Sequence, residues 1–65
     1  MARFVLYKDT ASQYRWRFIA NNGRVVADSA EGYYNKADAQ NGINIVKTES
    51  PYATVEDQTL ATTYR

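Results

Sequence analysis

The chain has 65 residues, 14% of them aromatic and 23% charged, and its eight basic and seven acidic side chains leave a formal net charge of +1. It contains no Cys and no His, which excludes disulfides, thiol catalysis, Cys-ligated metal centres and the usual general base near neutral pH. A chain this short builds one domain with a thin core. With disulfides excluded and the common metal ligands missing, association with a second copy is the reinforcement that remains.

In chain order, Arg3 to Lys8 reads as a strand, with Phe4 and Leu6 on one side and Val5 and Tyr7 on the other. Asp9 to Gln13 is a polar connection of hairpin length. Tyr14 to Ala20 predicts a second strand, in which Tyr14, Trp16, Phe18 and Ala20 alternate with Arg15, Arg17 and Ile19. Asn21-Asn22-Gly23 predicts a type I′ turn centred on Asn22 and Gly23, and Arg24 to Ser29 the returning strand. That turn sets a register in which Ala20 faces Val25, Ile19 faces Val26, and Arg17 faces Asp28 as an opposite-charge pair. Trp16, Phe18, Ala20, Val25 and Ala27 then share one face. Arg15, Arg17, Ile19, Val26 and Asp28 share the other, and a one-residue slip would scramble both sets.

Ala30-Glu31-Gly32 reads as a turn before Tyr33 and Tyr34. Tyr33 is expected in the core under the start of a helix, and Tyr34 partly exposed. The helix is capped by Asn35, with Asp38 favourable to its dipole, and runs through Thr48 with Ala39, Ile43 and Val46 as its apolar stripe. Gly42 beside that stripe costs about 1 kcal/mol of helix propensity, so it predicts a close approach of helix to sheet. Pro51 stops the helix. Tyr52 to Asp57 predicts a fourth short strand around Ala53-Thr54-Val55, and residues 58–65 carry no clear signal and read as either a frayed tail or a segment that packs on a partner. The expected architecture is α+β: a β-β-β-α-β unit over residues 1–57 with one helix packed on one face of an antiparallel sheet. Its expected core is Phe4, Leu6, Trp16, Phe18, Val25, Gly32, Tyr33, Ile43, Val46 and Val55.

The residues supply little for catalysis. Gly23, Gly32 and Gly42 are isolated and form no phosphate loop. Glu56 and Asp57 are adjacent, so on a strand they point to opposite faces. Lys36 and Lys47 fall at solvated helix positions. Asp28 and Glu31 flank a turn without the spacing of a calcium loop. The expectation is a protein that is not an enzyme and uses no cofactor or metal. Its apolar runs are too short to cross a membrane, and it reads as cytoplasmic.

Binding is the remaining class. Residues 1–24 carry a charge of +4 and residues 25–65 a charge of −3, halves that attract each other within the fold or across a dimer. The sheet face without the helix presents Tyr7, Arg15, Arg17, Ile19 and Val26, a partly apolar surface suited to a protein partner. Nucleic-acid binding is the alternative, because Tyr14-Arg15-Trp16-Arg17-Phe18 interleaves aromatic and basic residues. Strand alternation weakens it by sending Trp16 and Phe18 to the face opposite the arginines.

Taken together, Phe4-Val5-Leu6-Tyr7-Lys8-Asp9, Tyr14-Arg15-Trp16-Arg17-Phe18, Asn22-Gly23, Ser29-Ala30-Glu31-Gly32-Tyr33, Lys36-Ala37, Gly42-Ile43 and Val46-Lys47 resemble the YegP-like family of small bacterial and archaeal proteins. The resemblance covers roughly residues 3–57. It implies β-β-β-α-β units that occur in tandem or as two identical chains, joined in one continuous sheet with their last strands exchanged. For a chain with one unit it implies a homodimer that swaps the strand around Ala53–Glu56. It carries over no functional residue.

Overall fold

A computed structural model describes residues 1–61, with side chains described through residue 59. Three strands, β1 (Arg3–Lys8), β2 (Tyr14–Ile19) and β3 (Val25–Asp28), form an antiparallel sheet in the order β1-β2-β3. Helix α1 (Lys36–Glu49) follows, then a 3-10 turn (Ser50–Tyr52) and a short helix α2 (Gln58–Ala61).

The β1–β2 ladder places Phe4 opposite Phe18 and Leu6 opposite Trp16 on the helix side. Val5 opposite Arg17 and Tyr7 opposite Arg15 lie on the other side. Asp9 shapes the connecting loop: its carboxylate accepts the Ala11 and Gln13 N–H groups at 2.8 and 3.0 Å. Ser12 takes a left-handed φ of 63° to close it.

The β2–β3 turn differs from the type I′ expectation. The Gly23 N–H donates to the Ala20 carbonyl at 2.9 Å, and the Ala20 N–H donates to the Arg24 carbonyl at 2.8 Å. The loop is therefore three residues, Asn21 to Gly23. Only Gly23 takes a positive φ there (87°), while the Asn22 side chain accepts the Arg24 N–H at 3.0 Å. An Asx turn ahead of a left-handed glycine needs one positive φ instead of two. The longer loop shifts the ladder by one residue, so Ile19 pairs with Val25 rather than Val26. An irregularity between Phe18 and Ile19 shifts it back, leaving Val26 as the extra residue, and Arg17 pairs with Asp28 as expected. Val25 consequently joins the Ile19 side of the sheet and is 56% exposed, not part of the core.

Beyond β3 the chain loops out and returns. The Ser29 hydroxyl donates to the Glu31 carbonyl at 2.9 Å, and Ala30 takes a φ of 68°. Tyr33 then bridges to Tyr14 through two backbone hydrogen bonds of 2.8 and 2.9 Å. A Cβ at Gly32 would lie 2.0 Å from Gln13 Oε1, which explains the glycine. Helix α1 begins after Asn35, as expected, although the Asn35 side chain reaches the Asp38 carboxylate (3.3 Å) rather than capping a backbone N–H. The expected close approach falls at Gly42, where a Cβ would lie 2.9 Å from Tyr33 Oη and 3.2 Å from Trp16 Nε1.

Trp16, 6% exposed, and Ala39, fully enclosed, are the only buried residues among those described. Phe4 packs edge-on against Trp16 at 5.6 Å and tilted against Phe18 at 5.0 Å. Phe4, Leu6, Phe18, Tyr33, Ile43 and Val46 are half-buried. Helix α1 packs on β1 and β2 but not on β3, all four residues of which are exposed.

The expected fourth strand does not form within the chain. Residues 53–57 are irregular and exposed, and Val55, expected in the core, is 91% exposed. A strand needs a neighbour to satisfy its backbone groups, and neither free sheet edge of this chain meets the segment. Of the expected tail, residues 58–61 form α2, where the Asp57 carboxylate accepts the Thr59 N–H at 3.0 Å. Residues 62–65 lie outside the described residues.

Two substitutions test this packing by thermal or urea denaturation. Trp16→Ala should cost about 3–5 kcal/mol. Gly42→Ala should cost about 1–3 kcal/mol through overpacking against Trp16 and Tyr33, against a propensity gain of about 1 kcal/mol. A stabilised Gly42→Ala protein contradicts the close approach.

Candidate functional site

The ladder brings four of the five expected face residues together. Tyr7 and Arg15 are direct cross-strand partners, and Arg17 and Ile19 follow along β2 opposite Val5 and Arg3. Val26 is the bulged residue, without a ladder partner, and is 65% exposed.

Two cations of this face, Arg15 and Arg17, are already engaged, while Arg3 stands opposite Ile19. Arg15 Nε donates to Asp9 Oδ2 at 2.5 Å. The Gln13 backbone N–H and the Arg15 guanidinium together hold the Asp9 carboxyl below its ordinary range, and the Asp9 hydrogen bond in turn raises Arg15. The Arg17 guanidinium stacks over the Tyr7 ring at 4.4 Å. Chemically the face is a mixed apolar and cationic surface, with Val5, Ile19 and Val25 around a preformed arginine–tyrosine stack.

A second feature escapes the sequence reading. On the helix side, Phe4, Phe18 and Ala27 lie in one row across the three strands. With Val46, Lys47 and Ser50 at the end of α1 they line an open apolar groove of about 390 Å³. Phe4 and Phe18 give it an aromatic lining, Lys47 adds a charged one, and it lies beside β3, which α1 leaves uncovered. The available signal was the narrow stripe of α1, Ala39, Ile43 and Val46, set against three strands.

The Asp9–Arg15 pair has a pH consequence. A depressed carboxyl pKa stabilises the fold above the unfolded-state pKa of about 4, and that stabilisation is lost as pH falls through the lower folded value. Asp9→Asn should therefore lower the melting temperature at pH 7 and flatten its acid dependence below about pH 4. An unchanged acid limb contradicts the pairing.

The family described as "Domain of unknown function (DUF1508)" matches residues 9–57. UPF0339 protein Atu5359 of Agrobacterium fabrum is 45% identical over 62 residues, spanning 95% of this chain and 98% of that protein. The solution NMR structure of a protein from Haloferax volcanii superposes with a TM-score of 0.78 at 45% identity, covering 86% of this chain and 93% of that one. A Stutzerimonas stutzeri relative, described as a UPF0339 protein in the ptx operon 5′ region, is 42% identical over 48 residues, but these are 74% of this chain and only 42% of that protein. The chain belongs to the DUF1508 family of UPF0339 proteins, the YegP-like family its sequence resembles, and shares the sheet-and-helix fold of its solved relative.

Proposed function

We propose that the protein is a non-catalytic homodimeric module, in which two units join into one sheet and exchange the segment around Ala53–Glu56 as fourth strands. The observation that carries this reading is Val55, a branched apolar side chain 91% exposed on an irregular segment that joins no strand of the sheet. The Stutzerimonas relative, of which the match covers 42%, has length for a second unit within one chain.

The domain in this reading is residues 1–57, and its place of action is the cytoplasm. The missing His and Cys favour a structural or interaction role over catalysis. The face of Tyr7, Arg15, Arg17 and Ile19 is the surface on which such a dimer docks another protein. Nucleic-acid binding is the weaker reading, because Asp9 already pairs with Arg15 and Tyr7 already contacts Arg17.

Sedimentation of the wild-type protein at micromolar concentration should give twice the chain mass. Val55→Asp should give single-chain mass at the same concentration, since it places a charge in a contact that removes an apolar group from water. Wild-type protein at single-chain mass, or Val55→Asp dimers as tight as wild type, contradicts the reading.

A further inference from the structure

We infer that a second cavity, lined by Leu6, Tyr7, Lys8, Tyr14 and Lys36, is a binding site for a small organic phosphate monoester. The inference is independent of the dimer proposed above, since it uses neither the segment after α1 nor the groove beside β3.

The fold brings two lysines from distant parts of the chain to one opening. The β1–β2 ladder ends at the Lys8–Tyr14 pair, two residues beyond the Leu6–Trp16 pair and on the same side of the sheet. Lys36 is the first residue of α1 and closes over that end. The Lys8 ammonium lies 5.0 Å from the centroid of the Tyr14 ring, a cation–π contact that holds the charge at the cavity.

That charge is uncompensated. No carboxylate lines the cavity, and neither Lys8 nor Lys36 forms an ion pair among the described residues. The acids nearest in sequence are engaged elsewhere: Asp9 with Arg15 and its own loop, and Asp38 with the Asn35 side-chain amide at 3.3 Å. The contrast with Arg15, whose charge has a built-in carboxylate, is what singles out this pair. Lysine ammonium groups donate hydrogen bonds and accept none. The ligand that fits therefore brings two negative charges and several acceptor oxygens. A phosphate monoester near neutral pH supplies both, and lysine binds it as a point charge without needing a fixed fork. The cavity measures about 270 Å³, just under the roughly 300–1,000 Å³ of pockets for drug-sized ligands. It admits a phosphate with a small organic group, for which Leu6 and the Tyr14 ring are the apolar wall.

Phenyl phosphate titrated into isotope-labelled wild-type protein at low ionic strength should give saturable NMR shifts of the Leu6 to Lys8, Tyr14 and Lys36 amides. Lys8→Gln and Lys36→Gln should each weaken binding roughly threefold to tenfold. Lys47→Gln, which removes the same charge at the other end of α1, should leave it unchanged. Inorganic phosphate should bind more weakly than phenyl phosphate. A second measure needs no variant: phenyl phosphate should slow acetylation of Lys8 and Lys36 by acetic anhydride, read by mass spectrometry, and leave Lys47 unaffected. Absence of saturable shifts, an equal loss with Lys47→Gln, equal affinity for inorganic phosphate, or uniform acetylation of the three lysines overturns the site. A short single-stranded oligonucleotide that binds more tightly than phenyl phosphate, with shifts spreading to Arg3, Arg17 and Arg24, overturns it in favour of a nucleic-acid surface.

Discussion

One helix covers two strands of a three-stranded sheet, and most of the structure's unusual features trace to that mismatch in width. An α-helix is about 10 Å across, and three strands at about 4.8 Å spacing present a broader apolar row than it can shield. Helix α1 is drawn tight where it does pack. Gly42 lets it approach Trp16 and Tyr33 to within side-chain contact, and Ala39 is enclosed against the sheet. The same tight seating leaves β3 bare and opens the Phe4–Phe18–Ala27 row as a groove. A domain with two buried residues among those described keeps little of the hydrophobic stabilisation that offsets chain entropy.

The two faces of the sheet answer different needs. The helix face is apolar and incomplete. The open face is finished by local polar chemistry: Asp9 organises its own loop, then holds Arg15, while the Arg17 guanidinium sits over the Tyr7 ring. An arginine stacked on a ring shields apolar surface as well as presenting charge. This explains how Val5, Ile19 and Tyr7 can stand on an uncovered sheet face without a second layer.

Much of this was legible in the sequence wherever the determinant is local. Alternation located β1 and β2, Asn35 and Pro51 bounded the helix, and Gly42 announced its close contact. The Arg17–Asp28 pairing was found for an incomplete reason, because a longer turn and a compensating bulge at Val26 cancel. Val25 suffers from the same pair of errors: between them the register is one residue off, and a shift of one residue changes the face. Asn21-Asn22-Gly23 suits loops of two or three residues, and the choice depends on whether Asn22 takes a left-handed φ or bonds Arg24 with its side chain. The groove was not legible, since it depends on how α1 crosses the strands. For Ala53 to Val55 the sequence carries strand character, yet pairing depends on a neighbour the single chain does not place there.

The account therefore turns on stability and association being one quantity. The most direct measurement is the melting temperature of the wild-type protein over a hundredfold dilution series. Coupled folding and association predict a melting temperature that falls steadily with dilution, with loss of the cooperative transition at the lowest concentrations. A sharp transition at one temperature across the whole series would contradict the account, because it would mean that a single copy is stable on its own.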